Sequence, residues 1–116
     1  MTSSQLDIHI EKVGPVTIVM PVGPVDSESF NYFKQTLDPI CKEQGAKVVI
    51  DGDKLNYINS QGIGLIASYH RTCLINNGAI LLCSLNDKII NTMNLLGLGK
   101  RLKIFKTRQE ACDSIQ

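Results

Sequence analysis

Three short apolar runs, Val16 to Met20, Val48 to Ile50 and Ala79 to Cys83, constrain this chain more than any other feature. Val48-Val49-Ile50 is continuous and needs cover on both faces, the condition of a central strand. Val16 to Met20, β-branched with Thr17 inside it, reads as the second strand of a hairpin, and Ala79 to Cys83 as another apolar strand. The segments between the runs carry a different period. Phe30, Phe33, Leu37, Ile40 and Cys41 recur at steps of three and four, the stripe of an amphipathic helix. Ile63, Ile66, Ala67, His70, Cys73 and Leu74 do the same on a helix expected from Leu65 to Asn77.

Smaller signals fill the gaps. Leu6, Ile8 and Ile10 alternate with Asp7, His9 and Glu11, the period of a half-buried strand, and Val13-Gly14-Pro15 turns it into Val16. Asp26 or Ser27 is placed to cap the first helix, with Glu28 near its positive end, and Pro39 is expected to kink or break it. Leu55 to Asn59 leads into the second helix, which Asn76-Asn77-Gly78 ends. Lys88 to Leu96 forms a short helix stopped by Gly97, Leu102 to Phe105 a last short strand, and Thr107 caps a C-terminal helix holding Ala111 and Ile115. The expected order is β-β-α-β-α-β-α-β-α. That is an α/β fold, a mixed sheet of four to five strands flanked by about four helices. With 116 residues the chain has room for one domain, residues 1–116, and its 43% apolar content suffices for one core between two layers.

Several function classes find no support. The net charge is +1, without the basic footprint of a nucleic-acid-binding domain. Met1-Thr2-Ser3-Ser4-Gln5 lacks the charged and apolar regions of a signal peptide. No apolar run approaches the ~20 residues of a membrane helix, so a cytoplasmic location without membrane contact is expected. Cys41, Cys73, Cys83 and Cys112 are widely spaced, and His9 and His70 do not neighbour them at ligand spacing. Reduced, buried thiols and no metal are the expectation. Neither a phosphate loop with Lys-Ser or Lys-Thr nor a Gly-x-Ser-x-Gly elbow is present. Asp51 and Asp53 flank a glycine at a strand end and read as a solvated turn rather than an acid–base pair. The chain is expected to be no enzyme and to use no cofactor.

The informative segment is Asn59-Ser60-Gln61-Gly62-Ile63-Gly64. On residue types alone, Ser60 is an ordinary N-cap. However, Gly62 and Gly64 fall in the same first turn, where each costs up to ~1 kcal/mol relative to alanine. Glycines tolerated there let another group approach the backbone closely. A serine beside the unpaired N–H groups of a helix start is also a place where a phosphate is tolerated.

The segment resembles the signature of STAS-domain anti-sigma-factor antagonists, Asp or Asn, Ser, a variable residue, Gly, Leu or Ile, Gly, at a strand–loop–helix junction. Gly23-Pro24-Val25-Asp26, Val48-Val49-Ile50-Asp51, Asn77-Gly78-Ala79 and Leu95-Leu96-Gly97-Leu98 resemble the family's further landmarks in the same order. The resemblance implies a single STAS-like domain. It also implies that Ser60 is the acceptor for an anti-sigma-factor serine kinase of the GHKL type, and that a serine phosphatase reverses the modification. The unphosphorylated form would bind the kinase and release the sigma factor. Asp26, Asn59, Gln61, Gly62, Ile63 and Gly64 would form the partner-binding rim. Two positions depart from the family's usual residues, Asn59 in place of Asp and Gln61 in place of Ser or Thr. They keep open an alternative, a constitutive STAS interaction or scaffold module that phosphorylation does not regulate.

Overall fold

The computed structural model describes residues 5–115, so the expectation resting on Met1 to Ser4 lies outside the described residues. Ten elements follow in order: β1 (Asp7–Val13), β2 (Val16–Val25), α1 (Phe30–Cys41), β3 (Lys47–Asp51), β4 (Leu55–Ile58), α2 (Ser60–Ile75), β5 (Ala79–Cys83), α3 (Asp87–Leu95), β6 (Ile104–Phe105) and α4 (Arg108–Ile115). The sheet runs β1-β2-β3-β5-β6, and β4 pairs with the far end of β2. Among the described residues only the β1–β2 hairpin is antiparallel; the other pairings are parallel.

The expected mixed α/β sheet with four helices is therefore present, with β4 as a short addition. Its sequence is half polar, and Asn56 and Tyr57 are exposed. Strand geometry comes instead from pairing, Gly23 with Leu55 and Val25 with Ile58.

The three apolar runs form the middle of the sheet. Val48, Val49 and Ile50 on β3 and Leu81, Leu82 and Cys83 on β5 are all buried. On one face, Phe33, Leu37 and Cys41 of α1, Ile63 and Ile66 of α2, and Ile89 and Met93 of α3 make the larger core. On the other face α4 lays Ala111, Cys112 and Ile115 over Val16, Ile18, Val49 and Leu81. Thr107 caps α4 as expected, its hydroxyl accepting the Glu110 N–H at 3.1 Å.

Other expectations need correction. Helix α1 is not broken at Pro39 but runs through it to Cys41; the proline lacks the N–H that would bond the Gln35 carbonyl, and the helix ends two residues later. Strand β1 is an edge, so its alternation does not bury Ile10, which is 50% exposed. Asp51 is not solvated. It is 7% exposed and accepts the Nε–H of Arg108 at 3.0 Å, tying α4 to the end of β3. The guanidinium also meets Glu11 on β1 at 3.2 Å.

Candidate functional site: the shoulder at Asp26 and Ser60

Strands β2 and β4 end side by side, and each hands over to a helix. The Asn59 N–H donates to the Val25 carbonyl at 2.9 Å, so Asp26 and Ser60 each lie one residue beyond a shared main-chain bond. The structure thus brings these two predicted residues onto one shoulder of the sheet.

Asp26 organises its side of that shoulder. Its carboxylate accepts the N–H groups of Glu28 and Ser29, both at 3.0 Å, and the Ser29 hydroxyl at 3.1 Å. These donors, the Ser29 N–H foremost, hold its pKa below the ordinary carboxylate value. Helix α1 begins at Phe30, so Asp26 fixes the turn before the helix and Ser29 occupies the capping position.

Helix α2 starts earlier than its periodicity suggested, at Ser60. Asn59 is its cap: the side-chain Oδ1 accepts the Gly62 N–H at 2.9 Å, and its carbonyl takes the first helical bond from Ile63 at 3.1 Å. Ser60 is therefore not the N-cap. It is the first helical residue, exposed, with its hydroxyl making no hydrogen bond among the described residues. The N–H groups of Ser60 and Gln61 likewise donate to nothing among the described residues, and the aligned peptides of a 16-residue helix lie behind them.

The two glycines play different parts. A Cβ on Gly62 would lie 2.7 Å from Ile58 Cγ1 and 2.9 Å from Val25 Cγ1, so the sheet itself requires a bare backbone there. A Cβ on Gly64 would meet nothing within 4 Å. Gly64 is exposed, and no internal packing accounts for it. Gln61 is exposed as well, whereas Ile63 is fully buried and belongs to the core beneath the rim.

One packing residue of α2 escaped the sequence reading. Tyr69 is 3% exposed and donates its hydroxyl to Asp38 of α1, while Leu74, expected inward, is 57% exposed. Tyr69 lies at steps of three from Ile63 and Ile66, but its phenol made the apolar stripe harder to see. Lys34 bonds the other oxygen of Asp38 at 2.8 Å. The Lys34 bond first, then the Tyr69 bond, lower the Asp38 pKa, and burial raises that of Tyr69. These contacts brace α2 against α1 below the shoulder.

All four cysteines are buried and free. His9 is an exposed strand residue 3.2 Å from Asp7, and His70 is partly buried on α2. No helix of the described residues is long and apolar enough to cross a membrane.

The family model described as STAS domain matches residues 7–111. The anti-sigma F factor antagonist of Paenibacillus polymyxa is 22% identical over 112 residues, 96% of each chain. An anti-sigma factor antagonist from Mycobacterium paratuberculosis has a similar crystal structure, with a TM-score of 0.88 at 17% identity over 98% of this chain and 97% of that one. SpoIIAA of Bacillus is similar in its unphosphorylated form (TM-score 0.78, 20% identity, 94% and 96% covered) and in its phosphorylated form (0.72, 19%, 95% and 100%).

Proposed function

The chain belongs to the STAS domain family, and from that premise we propose that residues 1–116 act as an anti-sigma-factor antagonist, a non-enzymatic switch in the cytoplasm. Unphosphorylated, the shoulder holds an anti-sigma-factor serine kinase of the GHKL type. Phosphorylation of Ser60 by that kinase releases it, and a serine phosphatase restores the first state. The names of the relatives support this reading, as does the existence of SpoIIAA in two phosphorylation states.

The observation that carries it is the division of labour between neighbours. Asn59 holds the helix, so the exposed Ser60 hydroxyl can be modified without removing a cap. A phosphate adds a charge of about −1.5 to −2. Two free N–H groups and the helix start stabilise that charge, so the fold survives it. Asp26 already places a carboxylate on the same shoulder. With phosphate added, the surface turns strongly anionic and repels the phosphates of kinase-bound nucleotide, lowering affinity. Gln61 and the bare backbone at Gly64 form the rest of the docking rim, and Gly62 and Ile63 support it from below.

The test is to mix the protein with its kinase and ATP and weigh the product. One added phosphate on the wild type and none on Ser60→Ala is the expected result; a Ser60→Ala chain that still gains the mass rejects the assignment. Ser60→Glu should weaken kinase binding, while Ser60→Ala should retain it. Asn59 and Gln61 favour a second reading, a constitutive scaffold module. It would be recognised by the absence of any phosphorylated form and by unaltered partner binding of both variants.

A further inference from the structure

The total charge of +1 hides a segregation along the chain. Half of its 12 cations lie between Lys88 and Gln109, and none of its 11 carboxylates does. The fold gathers five of the six, Lys88 to Lys106, at one edge of the sheet, on α3, on the loop that follows and on β6, whereas Arg108 opens α4 and pairs with Asp51 and Glu11. Lys100, Arg101, Lys103 and Lys106 are exposed there and form no ion pair among the described residues.

That edge is open. Among the described residues, strand β6 pairs only with β5. The carbonyls of Lys103 and Phe105 accept from Leu82 N at 3.0 Å and Ser84 N at 3.1 Å, so the main-chain groups of the intervening Ile104 point the other way. Beside this edge runs a cleft of about 550 Å³ between β6 and α3. Leu85, Ile90, Ile104 and Phe105 supply its apolar lining, and Asn94 and Lys106 add polar groups. Asp87, at the start of α3, is the one carboxylate among the described lining residues, and Glu110 accepts the main-chain N–H of Lys106 at 3.2 Å.

We propose that the cleft between α3 and the open edge of β6 is a docking groove for an extended acidic segment of a partner protein, which adds a strand beside β6. Main-chain bonds to Ile104 would give the segment its register. Alternate side chains would fill the apolar lining, and the outward ones would meet the lysines. Charge selects the occupant. Lysines flanking a two-residue edge repel a second copy of the same edge, the usual protection against self-pairing, and the same lysines attract a strand of opposite sign. The opposite edge, β1, carries Asp7 and Glu11 together with Lys12 and makes no such selection. The groove shares no residue with the Asp26–Ser60 shoulder, so its occupation does not depend on how Ser60 is used.

The test uses the full chain, labelled with ¹⁵N, and a synthetic peptide alternating glutamate with valine. The peptide is expected to shift the amide signals of Leu85, Ile90 and Ile104 to Lys106, and to bind less tightly as salt is raised. The double variant Lys103→Glu/Lys106→Glu should bind at least about tenfold more weakly, whereas Lys54→Glu, an exposed lysine elsewhere, should bind as wild type. Any one of three results overturns the proposal: no shift at β6, equal affinity for a lysine–valine peptide, or retention by the double variant. Binding to phosphatidylglycerol vesicles without binding the peptide overturns it too, and would reassign the cations to a lipid surface.

Discussion

Asn59 and Gly62 form the capping bond of α2, with Oδ1 accepting the N–H at 2.9 Å, and Ser60 stands between them without a structural task. Asn59→Ala should therefore cost about 1 kcal/mol of folding stability. Ser60→Ala should stay within about 0.5 kcal/mol of wild type. Urea denaturation of the two variants decides the matter; a larger loss for Ser60→Ala would mean that the hydroxyl helps to hold the helix.

The two glycines of the first turn should respond in opposite directions to the same substitution. Gly62→Ala forces a methyl against Val25 and Ile58 and is expected to destabilise by about 1–3 kcal/mol. Gly64→Ala meets open space and should stabilise by up to ~1 kcal/mol through helix propensity. If Gly64 is kept bare for docking, that more stable variant should bind the kinase less well, which calorimetry of the pair would show.

Acid should weaken the brace between α1 and α2. The folded-state pKa of Asp38 lies below its ordinary value of 3.8, so its contribution is fully present above that value and is lost as pH falls through the lower one. Asp26 acts in the same sense. Stability measured down from neutral pH should hold until about pH 4 and then decline. In Asp38→Asn the decline should be shallower, from a lower starting stability.

Tyr69→Phe removes a donor to Asp38 while leaving Lys34 in place. A loss of about 1 kcal/mol is expected in thermal or chemical unfolding. Phosphorylation of Ser60 should persist in this variant, because Tyr69 lies two turns further along α2.

The cysteines should behave as buried apolar groups. Burial pushes the Cys83 thiol up to about 11, and none of the four side chains faces solvent. Ellman's reagent should react with the native chain only as fast as the chain opens, and promptly in denaturant. A fast-reacting thiol in the native protein would contradict this burial.

Much of the fold could be read from the chain because its strongest signals were local. The apolar runs marked β3, β5 and the first half of β2, which continues to Val25, and the steps of three and four marked the buried face of α1. What escaped depends on partners distant in sequence. β4 is a strand because β2 extends past β3 to pair with it. Asp51 is buried because Arg108, 57 residues later, reaches it. Helix α2 begins at Ser60, ahead of the Leu65 at which its apolar period suggested the helix body, because packing on Val25 and the Asn59 cap override the low helix propensity of Gly62 and Gly64. The placement of Asp26 beside Ser60 was legible only through family resemblance; the main-chain bond that joins their loops has no mark in the residues themselves.

The unequal cover of the two sheet faces has a consequence for truncated forms. Three helices shelter one side, but the other relies on the eight residues of α4, clamped at Arg108. Proteolysis or a premature stop ahead of Arg108 would strip the roof from Ile18, Val49 and Leu81 while sparing every residue of the Ser60 shoulder. Such a fragment would keep its recognition surface yet be prone to clump through its uncovered back, so insolubility would precede any loss of specificity.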